Sequence, residues 1–186
     1  AQGANGAKGL ERYGRTEHAD VAMPGYIPDV PVLREEMGRF QACIHYFDRQ
    51  MGRLFGALRE GGFDENTVVI FTTDHGISNR RAKTTLYDAG VEIALMIRMP
   101  GGERAGTAEG ALIPNIDFAP TILDIADVPV PDYMQGRSFR PLLLRGEYER
   151  HKEVVIERHY HGDDEYDPIR AIRTERYHYL RNFDPD

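Results

Sequence analysis

The feature that most constrains the fold is a set of apolar residues that recur at alternating steps of four and three. These residues are Leu33, Met37, Phe40, Ile44, Phe47, Met51, Leu54 and Leu58. Side chains at this spacing share one face, so the sequence predicts an amphipathic helix of about seven turns that ends at Gly61-Gly62. A coiled-coil seam is the alternative. Gly52, Gly56 and the strand-like run that follows favour a helix packed on a sheet.

The next pattern is a continuous run of β-branched and aromatic residues, Thr67–Thr72 (TVVIFT). Its lack of alternation is typical of a strand buried on both faces in a parallel or mixed sheet. A second such run, Ile93–Met99, ends at a Pro-Gly-Gly sequence. Asp117–Ala126 then has the pattern of a short helix, with Asp117 as its cap. Further strands are predicted at Val154–Glu157, Ile169–Thr174 and Tyr177–Asn182, the last two forming a hairpin.

This order of elements predicts an α/β protein. We expect a partial mixed or parallel sheet covered by helices, followed by the start of a small antiparallel C-terminal subdomain. The predicted divisions are an irregular leader (1–25), the α/β part (26–147) and the start of the subdomain (148–186). A chain of 186 residues can form one substantial core. Because it lacks a starting Met and ends just after a strand-like stretch, we expect it to be cut from a longer protein.

Charge and composition exclude several classes of function. The net charge of −7 argues against a nucleic-acid partner, which requires a clustered basic surface. No apolar run approaches the eighteen or so residues that predict a membrane span. Cys43 is the one cysteine, so no internal disulfide forms and the redox compartment stays undecided. Its position beside the apolar stripe predicts a core cysteine.

Candidate metal ligands stand directly after the TVVIFT strand. Asp74, His75 and Gly76 follow it in a tight turn, and ligands in α/β proteins collect at the carboxyl ends of strands. A carboxylate and an imidazole suit Mn, Zn or Fe and, less comfortably, Ca. Two ligands do not complete a site. An Asp that caps the turn through its side chain is the alternative interpretation.

Three basic residues, Arg80, Arg81 and Lys83, lie within nine positions after Asp74. Lys83 lies just ahead of an apolar Leu-Tyr pair that should anchor its backbone, so it is the candidate for binding an anion. Arg80 and Arg81 are more simply interpreted as a solvated loop. Further along, His159 and His161 alternate at strand spacing, although a metal site there is the less favoured interpretation.

Five blocks of sequence then resemble the C-terminal half of the sulfatase family. In chain order they are VVIFTTDHG, KTTLYDAG, IRMPGG, NIDFAPTILDIADV and QGRSFRPLLLRG. They stand in the family's order with similar gaps. The segment YIPDVPVLREEMGRF and the short gap between Asp74 and Lys83 resemble the heparan N-sulfatase (sulfamidase) branch, which often has Arg at the position of Lys83.

The resemblance implies roles for particular residues. Asp74 and His75 would coordinate one divalent cation, with Ca²⁺ favoured by the family and Mn²⁺ as the alternative. Lys83 would contact the sulfate group. Asp117 matches a recurrent family position, but we expect it to cap a helix without a chemical role.

The family's nucleophile is a formylglycine made from the Cys or Ser of a C-x-P-x-R or S-x-P-x-R motif. Neither Cys43, Ser78 nor Ser138 stands in such a motif, so the nucleophile is absent from this chain. The family's early aspartate pair would also lie upstream of Ala1. The resemblance implies that an intact protein cleaves sulfate esters or sulfamates of a sulfated small molecule or saccharide. We expect this chain alone to be inactive.

Two other functions stay open at this stage. The protein could be a phosphate or phosphonate ester hydrolase of the same alkaline-phosphatase-like superfamily, or a non-catalytic descendant. Because an incomplete sheet has an unpaired edge, a stable short chain is also expected to form a homo-oligomer.

Overall fold

The computed structural model of the protein describes residues 21–161 and 166–184. They divide into two units whose boundary lies between Thr67 and Val68, and each unit is described by itself. Most of the predicted leader, including His18, lies outside the described residues, and the predicted domain bounds stay predictions. In the described part of the chain, no helix combines the length and apolar character needed to cross a membrane.

The first unit is built on the long helix α1, Pro31–Glu60, which confirms the helix predicted from the stripe. Pro suits the first turn of a helix because no backbone N–H is required there. In the first turn of the helix, Arg34 Nε donates to Oδ1 of the preceding Asp29 at 2.5 Å. The helix ends where Gly61 N–H donates to Ala57 O at 2.9 Å. Gly62 then takes a φ of 74°, which favours glycine.

Cys43 corrects one prediction, because it is exposed and not in the core. The buried positions of α1 are Met37, Gly38 and Ala42. Successive residues of a helix are rotated by about 100°, so Cys43 points away from the side that buries Ala42. Packing of α1 on a sheet stays a prediction.

The second unit opens with a two-stranded sheet. Strands β1, Val69–Thr72, and β2, Leu95–Arg98, pair antiparallel, with Val69 opposite Arg98. Of the mixed and parallel arrangements predicted, this pair fits the mixed one. The strand is not buried on both faces, since Thr72 is exposed and the rest of β1 is only half-buried. Its one neighbour among the described residues is β2, so its other edge is open.

The described residues of this unit also form three short α-helices: α2, Asp88–Val91, between the two strands; α3, Phe118–Ile125; and α4, Arg140–Arg145. The α3 prediction is confirmed to within a residue, but Asp117 makes no side-chain cap bond. Instead, a single 3₁₀ turn, Asn115–Asp117, leads into α3 and buries the Asp117 carboxylate completely. The cap prediction is therefore wrong in its contacts, because the buried carboxylate accepts hydrogen bonds from half-buried donors remote in sequence. Phe139 packs edge-on against Phe118 at 6.0 Å between ring centroids.

The unit ends in a three-stranded antiparallel sheet of order β3-β4-β5. Its strands are β3, Glu153–Arg158; β4, Ile169–Thr174; and β5, His178–Asn182. This sheet confirms the predicted antiparallel subdomain and the hairpin between β4 and β5. His159 and His161 lie beyond the end of β3, so the prediction that they share one face of a strand is wrong. The overall class, α/β with a small antiparallel C-terminal sheet, is as predicted.

Candidate metal centre

The turn after β1 holds the predicted metal ligands in place through the backbone. Thr73 N–H donates to Ala94 O at 3.3 Å, and Ala94 N–H donates to Thr73 Oγ1 at 3.2 Å. These two bonds fix the turn to the segment before β2. The side chain of Asp74 is 88% exposed and that of His75 is 34% exposed. Both side chains are therefore accessible to a ligand.

The hydrogen bonding of His75 leaves one ring nitrogen free for a cation. Its Nδ1 lies 2.7 Å from Gly76 O. A carbonyl oxygen only accepts, so Nδ1 carries the proton and Nε2 of the neutral ring keeps its lone pair. Nε2 lies 3.6 Å from Asp74 Oδ1. One cation can contact both atoms at ordinary lengths of about 2.0–2.5 Å, so the two residues fit a divalent metal.

Two glycines bring the next loop against this turn. Gly76 N–H donates to Gly90 O at 2.9 Å. A Cβ on Gly76 would lie 2.0 Å from Ala89 O, and one on Gly90 would lie 2.3 Å from Ala82 O. Neither approach leaves room for a side chain. Backbone therefore packs directly on backbone between the turn of Asp74, His75 and Gly76, called the metal turn below, and the loop that carries Lys83.

Lys83 lies half-buried in that loop. Its N–H donates to Ile77 O at 3.1 Å. Of the Leu-Tyr pair predicted to anchor the loop, Leu86 is buried, whereas Tyr87 is 52% exposed. Arg81 and Thr84, on either side of it, have φ values of 60° and 76°. Positive φ is rare for a β-branched residue, so the loop holds a strained conformation of the kind that clusters at functional sites.

The sequence-predicted residues thus occupy one continuous piece of structure. Asp74 and His75 are brought together, and Lys83 lies in the loop that packs against their turn. Residues 21–161 and 166–184 contain no group of three or more His, Cys, Asp or Glu side chains placed to hold a metal. Asp74 and His75 are therefore a candidate pair of cation ligands, and no third such side chain joins them among the described residues.

Sequence reasoning missed a second cluster beside this loop. Asp88 Oδ1 accepts hydrogen bonds from Arg173 Nε at 3.0 Å and from His178 Nδ1 at 2.8 Å. His178, for which no partner was predicted, is thus paired. The donors lie more than 80 residues from Asp88 in sequence, and no local pattern indicates such a contact. The one available signal is that Asp88 falls within the family-like string KTTLYDAG.

A third cluster surrounds the buried carboxylate of Asp117. It accepts from Arg137 N at 2.8 Å, Tyr148 Oη at 2.9 Å and His151 Nε2 at 2.7 Å. Arg137 Nη2 donates to His151 Nδ1 at 2.8 Å, which fixes the tautomer of that ring. Burial, followed by the bond to Asp117, raises the pKa of Tyr148. This network supports the core next to α3.

The two histidines beyond β3 lie in different surroundings. His159 Nε2 lies 3.1 Å from Arg170 Nη2 and therefore accepts a hydrogen bond from it. Its ring stacks on Tyr166 at 5.9 Å between centroids. His161 is exposed. A metal site at these two histidines stays the less favoured interpretation.

Comparisons with known proteins identify the family of the chain. The family model for the N-sulphoglucosamine sulphohydrolase C-terminal region matches residues 74–185, and the sulfatase model matches residues 6–128. An ulvan-active sulfatase of Formosa agariphila is 34% identical over 88% of this chain and 27% of its own length. Human N-sulphoglucosamine sulphohydrolase is 31% identical over 67% of this chain and 27% of its own length.

A solved structure of a related protein also matches the chain. BT4656, in complex with its substrate D-glucosamine-2-N,6-O-disulfate, matches with a TM-score of 0.69 and 27% identity over 83% of this chain and 32% of that one. The chain spans about a quarter of the length of the two curated relatives described above. Each family model matches more than half of the chain. The chain therefore belongs to the sulfatase family, in its heparan N-sulfatase-like branch.

Proposed function

We propose that this chain forms part of the active site of a metal-dependent sulfatase that hydrolyses sulfate esters or sulfamates. In this proposal Asp74 and His75 bind a divalent cation, and Lys83 binds the sulfate group. The observation that carries it is the free Nε2 of His75, which lies 3.6 Å from Asp74 Oδ1 in an exposed turn. Membership of the sulfatase family supports the same assignment.

The chemistry of each residue follows from its charge. A divalent cation bound at the turn would act as a Lewis acid that stabilises negative charge on the transferred group. Asp74 supplies a hard anionic oxygen, and His75 supplies a nitrogen whose orientation is fixed by Gly76 O. The family resemblance favours Ca²⁺, whereas the imidazole ligand is better suited to Mn²⁺.

Lys83 would stabilise sulfate oxygens while negative charge redistributes in the transition state. Its backbone is fixed by Ile77, and its loop is held against the metal turn by Gly90. A fixed cation stabilises a transition state without reorganising when the charge develops. In this proposal the chain binds and orients the transferred group. A C-x-P-x-R or S-x-P-x-R motif does not occur in these 186 residues, so an upstream segment would have to supply the nucleophile.

A sulfated saccharide is the proposed substrate class. Human N-sulphoglucosamine sulphohydrolase and the BT4656 complex with a glucosamine disulfate support this choice. Saccharide sulfates are anions, so they complement a site that combines a divalent cation with Lys83.

The proposal is tested by turnover in an intact protein that joins this chain to an upstream C-x-P-x-R or S-x-P-x-R segment. Lys83→Ala should lower kcat/KM on an aryl sulfate by roughly 100-fold or more, because a preorganised cation at the transferred group is lost. Arg80→Ala is the matched control, since Arg80 is exposed on the same loop, and it should change turnover little.

Full activity of the Lys83→Ala protein would refute the sulfate-binding role. An intact wild-type protein that cleaves an aryl phosphate or phosphonate but not the sulfate would refute the sulfatase proposal. It would also favour the other branch of the superfamily.

A further inference from the structure

The contact between the C-terminal sheet and the Lys83 loop carries a further inference, which rests on the proposed function for its consequence. Arg173 is the second arginine of β4, next to its last residue, and His178 is the first residue of β5. Both direct side-chain donors to one oxygen of Asp88, at 3.0 and 2.8 Å. Two strands of the sheet are therefore held by one carboxylate outside it.

Asp88 connects this contact to both parts of the candidate site. It is the first residue of α2, and Glu92 N–H donates to its carbonyl at 2.7 Å. Two residues later, Gly90 accepts from Gly76 N–H, beside His75. The backbone of Gly90 also lies against Ala82, which precedes Lys83. A displacement of α2 would therefore move the turn of His75 and the loop of Lys83 together.

The side chains at this contact are organised for a positioning role. His178 is only 13% exposed, and Arg173 is 28% exposed, so neither is a freely solvated surface group. A carboxylate accepts, so the Nδ1 of His178 carries the proton. Its Nε2 is buried without a hydrogen-bond partner. The ring is thus held in this location by Asp88, at the cost of one unsatisfied nitrogen.

We propose that Asp88 is a positioning residue, which with Arg173 and His178 fastens the C-terminal antiparallel sheet to the loop of Lys83 and the turn of His75. The antiparallel sheet would thereby set the geometry of the sulfate site through the loop that carries Lys83. We call these three residues the Asp88 clasp.

Hydrogen exchange of the 186-residue chain tests the clasp in the absence of metal and substrate. In Asp88→Ala, the amides of Gly76 and Lys83, which are bonded to Gly90 O and Ile77 O, should exchange at least about tenfold faster. Amides within β1 and β2 should keep their wild-type rates. Asp88→Glu keeps the carboxylate and should restore much of the protection, which a purely local loss of α2 structure would not allow.

The matched control is Glu175→Ala. Arg150 Nη1 donates to Glu175 Oε1 at 2.9 Å, so this substitution removes an ion pair of the same hairpin that does not touch Asp88. It should leave exchange at Gly76 and Lys83 unchanged. If Asp88→Ala fails to fold, Arg173→Ala retains the bond from His178 and should give a smaller increase at the same two amides.

Unchanged exchange in folded Asp88→Ala, or an equal increase in Glu175→Ala, overturns the clasp. The result is separate from the proposed function. Faster exchange combined with an intact protein that has no sulfatase activity would keep the clasp and refute the activity. Wild-type exchange rates in Asp88→Ala, combined with full sulfatase activity of the intact protein, would refute the clasp and keep the proposed activity.

Discussion

At the residue scale, the structure depends most on polar side chains whose partners are remote in sequence. Asp117 shows this, because its helix position was evident from NIDFAPTILD while its three donors were not. Arg137, Tyr148 and His151 lie 20 to 34 residues further along. Sequence periodicity gives the position of a side chain on its element. It does not give the direction in which a buried carboxylate finds its donors.

Asp117→Ala should therefore destabilise the protein strongly. The carboxylate is fully buried, and its removal leaves three donors unsatisfied, which costs about 3–5 kcal/mol of unfolding free energy. Glu149→Ala is the control, because Glu149 is 90% exposed and its nearest Arg137 nitrogen is 3.5 Å away. It should cost less than about 1 kcal/mol in the same urea titration. Equal losses for the two variants would show that the network contributes little.

Tyr148 predicts a dependence of stability on alkaline pH. Burial and the bond to Asp117 raise its pKa above the usual 10.0, so the folded state keeps the phenol protonated when the unfolded chain ionises. Its contribution to stability is fully present below pH 10 and is lost as pH rises above that value. The difference in Tm between the wild type and Tyr148→Phe should shrink as the pH rises from about 10 to about 11.

Tyr133→Phe is the comparison for this experiment, because Tyr133 is 82% exposed. Its Tm should follow that of the wild type across the same range. A difference between wild type and Tyr148→Phe that stays constant through about pH 11 would mean that Tyr148 ionises alike in the folded and unfolded chains.

At the scale of elements, periodicity predicted α1, α3 and the five strands. It missed the short helices α2 and α4 and gave the contacts between elements poorly. The stripe of α1 and the hairpin of β4 and β5 were clear because each is a local pattern of apolar residues and turns. The antiparallel pairing of β1 with β2 was not specified, since a continuous apolar run fits several pairings. The exposure of Cys43 was missed because the stripe does not fix which neighbouring positions become buried.

The close packing of the metal turn on the next loop predicts that Gly76→Ala is poorly tolerated. The new Cβ would lie 2.0 Å from Ala89 O, so backbone must shift, at a cost of roughly 1–3 kcal/mol. Gly110→Ala is the control, because a Cβ at that position would meet no atom within 4 Å. Urea denaturation of the two variants should separate them clearly. Equal stability would show that the turn and the loop can move apart without loss.

At the scale of the whole molecule, the order of the five sequence blocks indicated the family. In the structure, two of these blocks pack against each other. VVIFTTDHG and KTTLYDAG contribute the two sides of the Gly76–Gly90 contact. The family and the α/β class could be predicted from the sequence. The Asp88 clasp could not, because it joins residues 85 and 90 positions apart through side chains alone.

The central claim is that Asp74 and His75 together bind a divalent cation. The most direct test is a titration of the chain with Mn²⁺, followed by electron paramagnetic resonance, for the wild type, Asp74→Ala, His75→Ala and the exposed control Asp132→Ala. A weak single site is expected in the wild type and in the control, because only two ligands come from this part of the protein. Affinity should fall at least about tenfold in each of the other two variants. Equal Mn²⁺ affinity in all four proteins would contradict the metal assignment.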